Sequence, residues 1–214
     1  MLEVWNHPLN VRHPQAPPTT SRAVWAGTGF ALALLLTAAT LVGEGLGRAG
    51  IELGLRLTAR LAFLPFWPCY TGGALVVLLG QRFAPVKRRA RELGLAFAAV
   101  LTVHLGLVAA LCAIGAPPSA HVFLVFGPGA VCALLLTIAS IDAVGRAIGP
   151  AGWWVLRNLA MNYLAFDFAL DFVRRQPPTS VVQAVMYLPF AAFAVLGPAL
   201  RLAAWTKLSW QASR

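Results

Sequence analysis

The sequence predicts an all-α integral membrane bundle of six transmembrane helices with both termini cytoplasmic. Three observations predict it. Apolar residues make up 59% of the chain and charged residues 11%, against about 25% charged in soluble domains. The apolar residues gather into six runs, at 23–43, 61–80, 93–114, 122–141, 151–173 and 181–204. A helix needs roughly 20 residues to cross a hydrocarbon core about 30 Å thick, and these runs have that length. The connections between them are too short to hold a soluble nucleotide or flavin domain. The chain is therefore read as one bundle over 23–206, with a cytoplasmic tail over 1–22 and another over 207–214.

The net charge of +10 follows topology rather than nucleic acid, because the cations flank the apolar runs. The 81–92 connection holds Arg82, Lys87, Arg88, Arg89 and Arg91, whereas 115–121 holds no Lys or Arg. Placing 81–92 inside brings Arg12, Arg22, Arg146, Arg201, Lys207 and Arg214 to the same side. It leaves Arg48, Arg56, Arg174 and Arg175 outside. The expected partner of the whole surface is a lipid bilayer, with a bacterial inner membrane as its location.

Taken in order, the N-terminal tail is broken by Pro8, Pro14, Pro17 and Pro18, which bar a regular helix. The first run is about twice a signal-peptide core in length and is expected to stay as a span. Residues 44–57 read as a Gly-rich outer connection with a short interfacial helix carrying Ile51, Leu55 and Thr58. The second run holds Pro65, Pro68, Gly72 and Gly73, hence a kink and close helix contact. Its aromatic residues Phe63, Phe66, Trp67 and Tyr70 form a band. The third starts at Glu92 and carries His104. The fourth is interrupted at Gly127, Pro128 and Gly129, and the sixth at Pro189 and Pro198. The fifth opens with Gly149, Pro150, Trp153 and Trp154 and is the most polar of the six. No internal repeat marks a duplicated transporter.

Ionisable residues inside spans are costly and therefore informative. They are Arg60, His104, Arg157, Asp167 and Asp171. His104 is the one histidine inside a run, roughly 18 Å from the start of its helix at 1.5 Å per residue. A neutral imidazole there is a hydrogen-bonded packing residue or a metal ligand. Tyr163, Asp167 and Asp171 recur every fourth residue and share a helix face. Asp171 is placed to pair with Arg174 and Arg175. Asp167 lies deeper, at a depth comparable with His104 on an opposite-running helix, and contact between the two is expected. Arg157 either snorkels to the inner headgroups or is a buried cation for a propionate or a lipid phosphate. Cys69, Cys112 and Cys132 lack metal or disulfide spacing and read as small buried residues. No soluble-enzyme motif is present, neither GxSxG, HExxH, a P-loop nor a dinucleotide fingerprint.

The segment KRRARELGLAFAAVLTVHLGL at 87–107 resembles the third helix of the ferric-reductase-like transmembrane family. It is nearest to the haem-binding membrane subunits of periplasmic methionine sulfoxide reductase systems. The likeness rests on Arg88, Arg89, Leu93, Gly94, Leu95 and His104. It extends to GLRLTARLAFLPFWP at 54–68 and to the Trp-led helix that follows 134–150, and covers roughly 44–173. The resemblance implies membrane electron transfer through haem b, with His104 as the metal ligand and Arg157, Tyr163 and Asp167 around the cofactor. It also implies a partner protein that supplies or accepts electrons. The pattern is broken where it matters most. The family's Trp-x-x-Leu-His motif falls on Trp153 to Arg157, so arginine stands where a histidine is expected. A second family histidine falls at Leu170 or Asp171. Unless His121 reaches in, one imidazole remains. The alternative expectation is a haem-free structural or assembly subunit of a larger membrane complex, with Phe166, Phe168, Phe172, Tyr163, Trp153 and Trp154 filling the cofactor's volume. A small proton-linked transporter using His104, Asp167 and Arg157 is the third.

Overall fold

A computed structural model describes residues 19–173 and 181–213, and side chains over 21–173 and 187–213. The described chain is helical throughout: α1 (Thr19–Glu44), α2 (Arg48–Leu79), a 3-10 turn (Gln81–Phe83), α3 (Ala84–Arg88), α4 (Ala90–Ala113), α5 (Ala120–Ala139), α6 (Asp142–Val173) and α7 (Val181–Ala212). Five of these, α1, α2, α4, α5 and α7, contain stretches long and apolar enough to cross a bilayer. The expected fifth span is helical as well, as the limb of α6 beyond Gly149. Its Arg157, Asn158, Asn162, Asp167 and Asp171 keep it out of that apolar class. Gly149 takes φ 72°, and Pro150 follows it. The glycine supplies the left-handed turn and the proline starts the next limb with a preset φ.

The helices alternate in direction, and α2 is their hub. It packs on α1, α4 and α7, and more lightly on α6; α5 packs along α6 and touches α4. The 81–92 connection defines a basic end. There Arg91 Nη2 donates to the Ser140 carbonyl and to Asp142 Oδ1 (2.7 Å), tying the start of α4 to the α5–α6 turn. Lys207 Nζ donates to the Val77 carbonyl at 2.9 Å, joining the ends of α7 and α2. Alongside, a Cβ at Gly29 in α1 would lie 3.3 Å from the Ala96 Cα of α4. Close backbone approach through small residues is how helices associate when the solvent is as apolar as their side chains.

Two boundaries differ from the sequence expectation. The α1–α2 connection is short, because the helix expected within 44–57 begins at Arg48 and runs on unbroken into the second run as α2. Its first turns are held by the (i, i+4) pairs Arg48–Glu52 (2.6 Å) and Arg56–Glu52 (3.7 Å), and Ile51 packs with Leu107 and Leu111 of α4. At the other end α7 continues to Ala212, so most of the expected 207–214 tail is helix. Arg174, Arg175 and the N-terminal prolines lie outside the described residues.

The core is aromatic. Phe63 and Phe66 of α2 meet Phe168 of α6 at centroid distances of 5.1 and 5.0 Å. Phe172 stacks on Phe168 and meets Phe190 of α7 at 5.4 Å. Phe97 of α4 and Tyr70 of α2 close on Phe66 at 5.5 and 5.6 Å. Rings at these separations gain about 0.5–1.5 kcal/mol per pair beyond area burial.

Candidate functional site

Among the described residues, polar groups interrupt this apolar packing at several helix contacts. Besides Glu92 at the start of α4, buried with its Oε2 unpartnered, three such groups bridge helices. The first joins α2 and α4. Thr58 is fully buried, and its hydroxyl donates to the Gly54 carbonyl at 2.8 Å. The same oxygen lies 2.9 Å from His104 Nδ1. A hydroxyl has one proton to give, and here it points to the helix backbone. The imidazole is held at this contact by the Thr58 hydroxyl and by a further hydrogen bond to the Leu55 backbone. The acid that acts electrostatically on His104 is Asp171 of α6. Two residues on from Thr58, and so on another face of α2, the Arg60 guanidinium stands 4.3 Å from the centroid of the Tyr187 ring.

The second group joins α5 and α6 where Pro128 interrupts α5. Proline cannot donate to the carbonyl four residues back, and its ring crowds that turn. Tyr163 of α6 supplies a donor beside the gap, its hydroxyl bonding the Val125 carbonyl at 2.8 Å. One turn further on, the buried Asp167 carboxyl presses against Gly129, and its Oδ1 has no hydrogen-bond partner. Glycine is required at 129 because a Cβ would sit 3.0 Å from Asp167 Cγ and closer still to Oδ2.

The third group lies at the basic end among α2, α6 and α7. Tyr70 donates its hydroxyl proton to Asn162 Oδ1 (2.8 Å), and Arg201 Nη2 donates to Asn158 Oδ1 (2.6 Å). The Arg201 guanidinium lies 4.6 Å from the centroid of the Tyr70 ring. Arg157 is exposed and is the other cation acting on Arg201. Nearby, Trp67 Nε1 donates to the Phe193 carbonyl at 2.7 Å, and a Cβ at Gly197 would lie 3.3 Å from that nitrogen.

The residues expected to surround one site are thus dispersed. Tyr163 and Asp167 share a face as their spacing predicts, but that face looks onto α5. His104 faces α2, and the acid near it is Asp171 in place of Asp167. Arg157 belongs to the opposite, basic end, and His121 is exposed at the start of α5. Of the six aromatic residues expected to fill the interior, Phe168 and Phe172 do so. Phe166 is exposed, and the ring of Tyr163 packs on Phe166. Sequence reasoning passed over Thr58, Tyr70 and Arg201 as site residues. A hydroxyl in mid-helix is a weak signal, and nothing in spacing links residues 46 or 92 positions apart.

The donor set for a haem is one imidazole nitrogen. No group of three His, Cys, Asp or Glu side chains suited to a metal occurs among the described residues. An interhelical cavity of about 50 Å³, lined by residues such as Phe66, Cys69, Gly94 and Met161, is far below the 300–1,000 Å³ that organic cofactors occupy. It lies two to three turns along α4 from His104. That cavity is too small for a macrocycle. No protein-family model matches the chain, and neither a curated protein nor a solved structure is significantly similar to it.

Proposed function

We propose that the chain is an integral membrane protein with six crossings, the sixth being the α6 limb beyond Gly149, and with the basic end at the cytoplasm. In this reading it serves as a haem-free structural or assembly subunit of a larger membrane complex. The observation that supports it is the aromatic core: rings from α2, α4, α6 and α7 pack against one another in the interior of the bundle. The lipid-facing character of the rest agrees, with Leu124, Val131 and Leu134 of α5 and Leu35 and Val42 of α1 all exposed. Apolar patches of this extent mark a membrane or a partner.

A second reading is electron transfer through a haem held by His104 at an interface with a partner. It is favoured by the contact of His104 Nδ1 with Thr58, since a second-shell bond to Nδ1 is what orients a ligating histidine. One experiment separates the two. After haem-replete expression, the purified protein is expected to show no Soret band and to retain a stoichiometric second polypeptide in mild detergent. A Soret band that disappears in His104→Ala would overturn the haem-free reading. Reporter fusions at each connection test the six crossings and the cytoplasmic basic end independently.

A further inference from the structure

We propose that the α2–α6–α7 junction at the basic end binds the phosphate of an anionic phospholipid. Among the described residues Arg201 is positioned by neutral groups: the Asn158 amide oxygen at 2.6 Å and the Tyr70 ring at 4.6 Å. Tyr70 is itself fixed by its 2.8 Å bond to Asn162. Besides Tyr70, the group that acts electrostatically on Arg201 is a second cation, Arg157, the residue next to the Asn158 that Arg201 bonds. Among the described residues the ion pairs are Arg48–Glu52, Arg56–Glu52 and Arg91–Asp142, and none involves Arg157, Arg201 or Lys207. Two neighbouring guanidiniums without an acid repel each other, the more strongly where water is scarce. An anion from outside the chain relieves that repulsion.

The position identifies the anion. Trp205 is 50% and Trp210 72% exposed, and they follow Arg201 toward the end of α7, where indoles anchor helices at headgroup depth. Lys207 stands between them. Basic pockets between helices at the cytoplasmic side are where anionic headgroups dock, and a guanidinium fork matches phosphate oxygens. This inference rests on the bundle standing in lipid, which the reporter fusions test separately.

The test is thermal unfolding of the full chain in a neutral detergent with added phosphatidylglycerol, phosphatidylcholine or inorganic phosphate. Phosphatidylglycerol is expected to raise Tm saturably, and the other two are not. Arg157→Gln should weaken the apparent affinity for phosphatidylglycerol about tenfold, the factor expected for losing one charge-assisted hydrogen bond. Arg157→Lys should recover part of it. Equal shifts with phosphatidylcholine, a shift reproduced by inorganic phosphate, or undiminished binding by a folded Arg157→Gln would each overturn the proposal. Indifference of the wild-type protein to phosphatidylglycerol would overturn it too, and would leave the cations to a partner's carboxylate.

Discussion

Adding one methyl group at Gly129 probes the tightest contact between α5 and α6. A Cβ there falls 3.0 Å from Asp167 Cγ, nearer to Oδ2, and 3.7 Å from Leu164 Cδ2. Either the carboxyl turns away or the helices part. Asp167 is only 8% exposed, so turning drives it into packed side chains, and overpacking of this kind costs about 1–3 kcal/mol. An opposing effect must be subtracted. Glycine to alanine in a helix interior gains about 0.8–1 kcal/mol of propensity. Gly129→Ala alone is therefore expected to destabilise by up to about 2 kcal/mol. Asp167→Ala removes the obstructing carboxyl. In that background Gly129→Ala should be neutral or stabilising, which makes the coupling between the two sites about 1–3 kcal/mol. Equilibrium unfolding of the four proteins in one detergent measures it. Equal effects of Gly129→Ala in both backgrounds, within about 0.5 kcal/mol, would refute the placement of the carboxyl over Gly129.

Thr58→Val should cost about 1–3 kcal/mol by removing the hydroxyl that meets both the Gly54 carbonyl and His104 Nδ1, while Thr58→Ser should stay near wild type in the same unfolding assay. Gly197→Leu should force α7 from the face of Trp67 and Tyr70, at about 1–3 kcal/mol, with a change in tryptophan fluorescence as the 2.7 Å bond to Phe193 is lost. At the basic end the Arg91 guanidinium holds the Asp142 carboxyl below the usual aspartate range. A group depressed in the folded state contributes stability above its unfolded pKa and loses it as pH falls through the folded one. The stability difference between wild type and Asp142→Asn should thus be small and salt-sensitive at neutral pH. It should vanish under acid, where both side chains are neutral; a difference that persists there would exclude the ion pair as its source.

Much of the helical layout was legible because it depends on local quantities. Six apolar runs of span length correspond to α1, α2, α4, α5, the α6 limb and α7. Gly149–Pro150 marks the break in α6, and Tyr163 and Asp167 share a face because four residues make about one helical turn. The start of α2 was misplaced for a physical reason. The helix within 44–57 reads as a separate interfacial piece because it is charged and Gly-rich. Yet the spacing of Arg48, Glu52 and Arg56 lets one carboxylate serve two cations along a helix continuous with α2. The partner of each buried polar group was not legible. Local patterning gives a residue's face and depth, whereas the neighbour across that face depends on how helices rotate against one another. Thr58 meets His104 because Gly54, one turn earlier, lets α4 approach: a Cβ at Gly54 would lie 3.1 Å from Leu107 Cδ1.

The same geometry gives physical content to the departures from the ferric-reductase-like pattern. The two α6 positions where that resemblance places imidazoles hold Arg157 and Leu170–Asp171. One brings a fixed cation beside Arg201. The other brings a carboxylate whose field acts on His104. Neither change is neutral toward iron, because a guanidinium has no lone pair to donate and a carboxylate is a poor substitute for an axial imidazole. Both agree with the haem-free reading proposed above. Restoring histidine at 157 alone should therefore create no haem site. The aromatic residues Phe63, Phe66, Phe97, Phe168, Phe172 and Phe190 still occupy the volume, and opening it would mean giving up the contacts that hold α2, α4, α6 and α7 together.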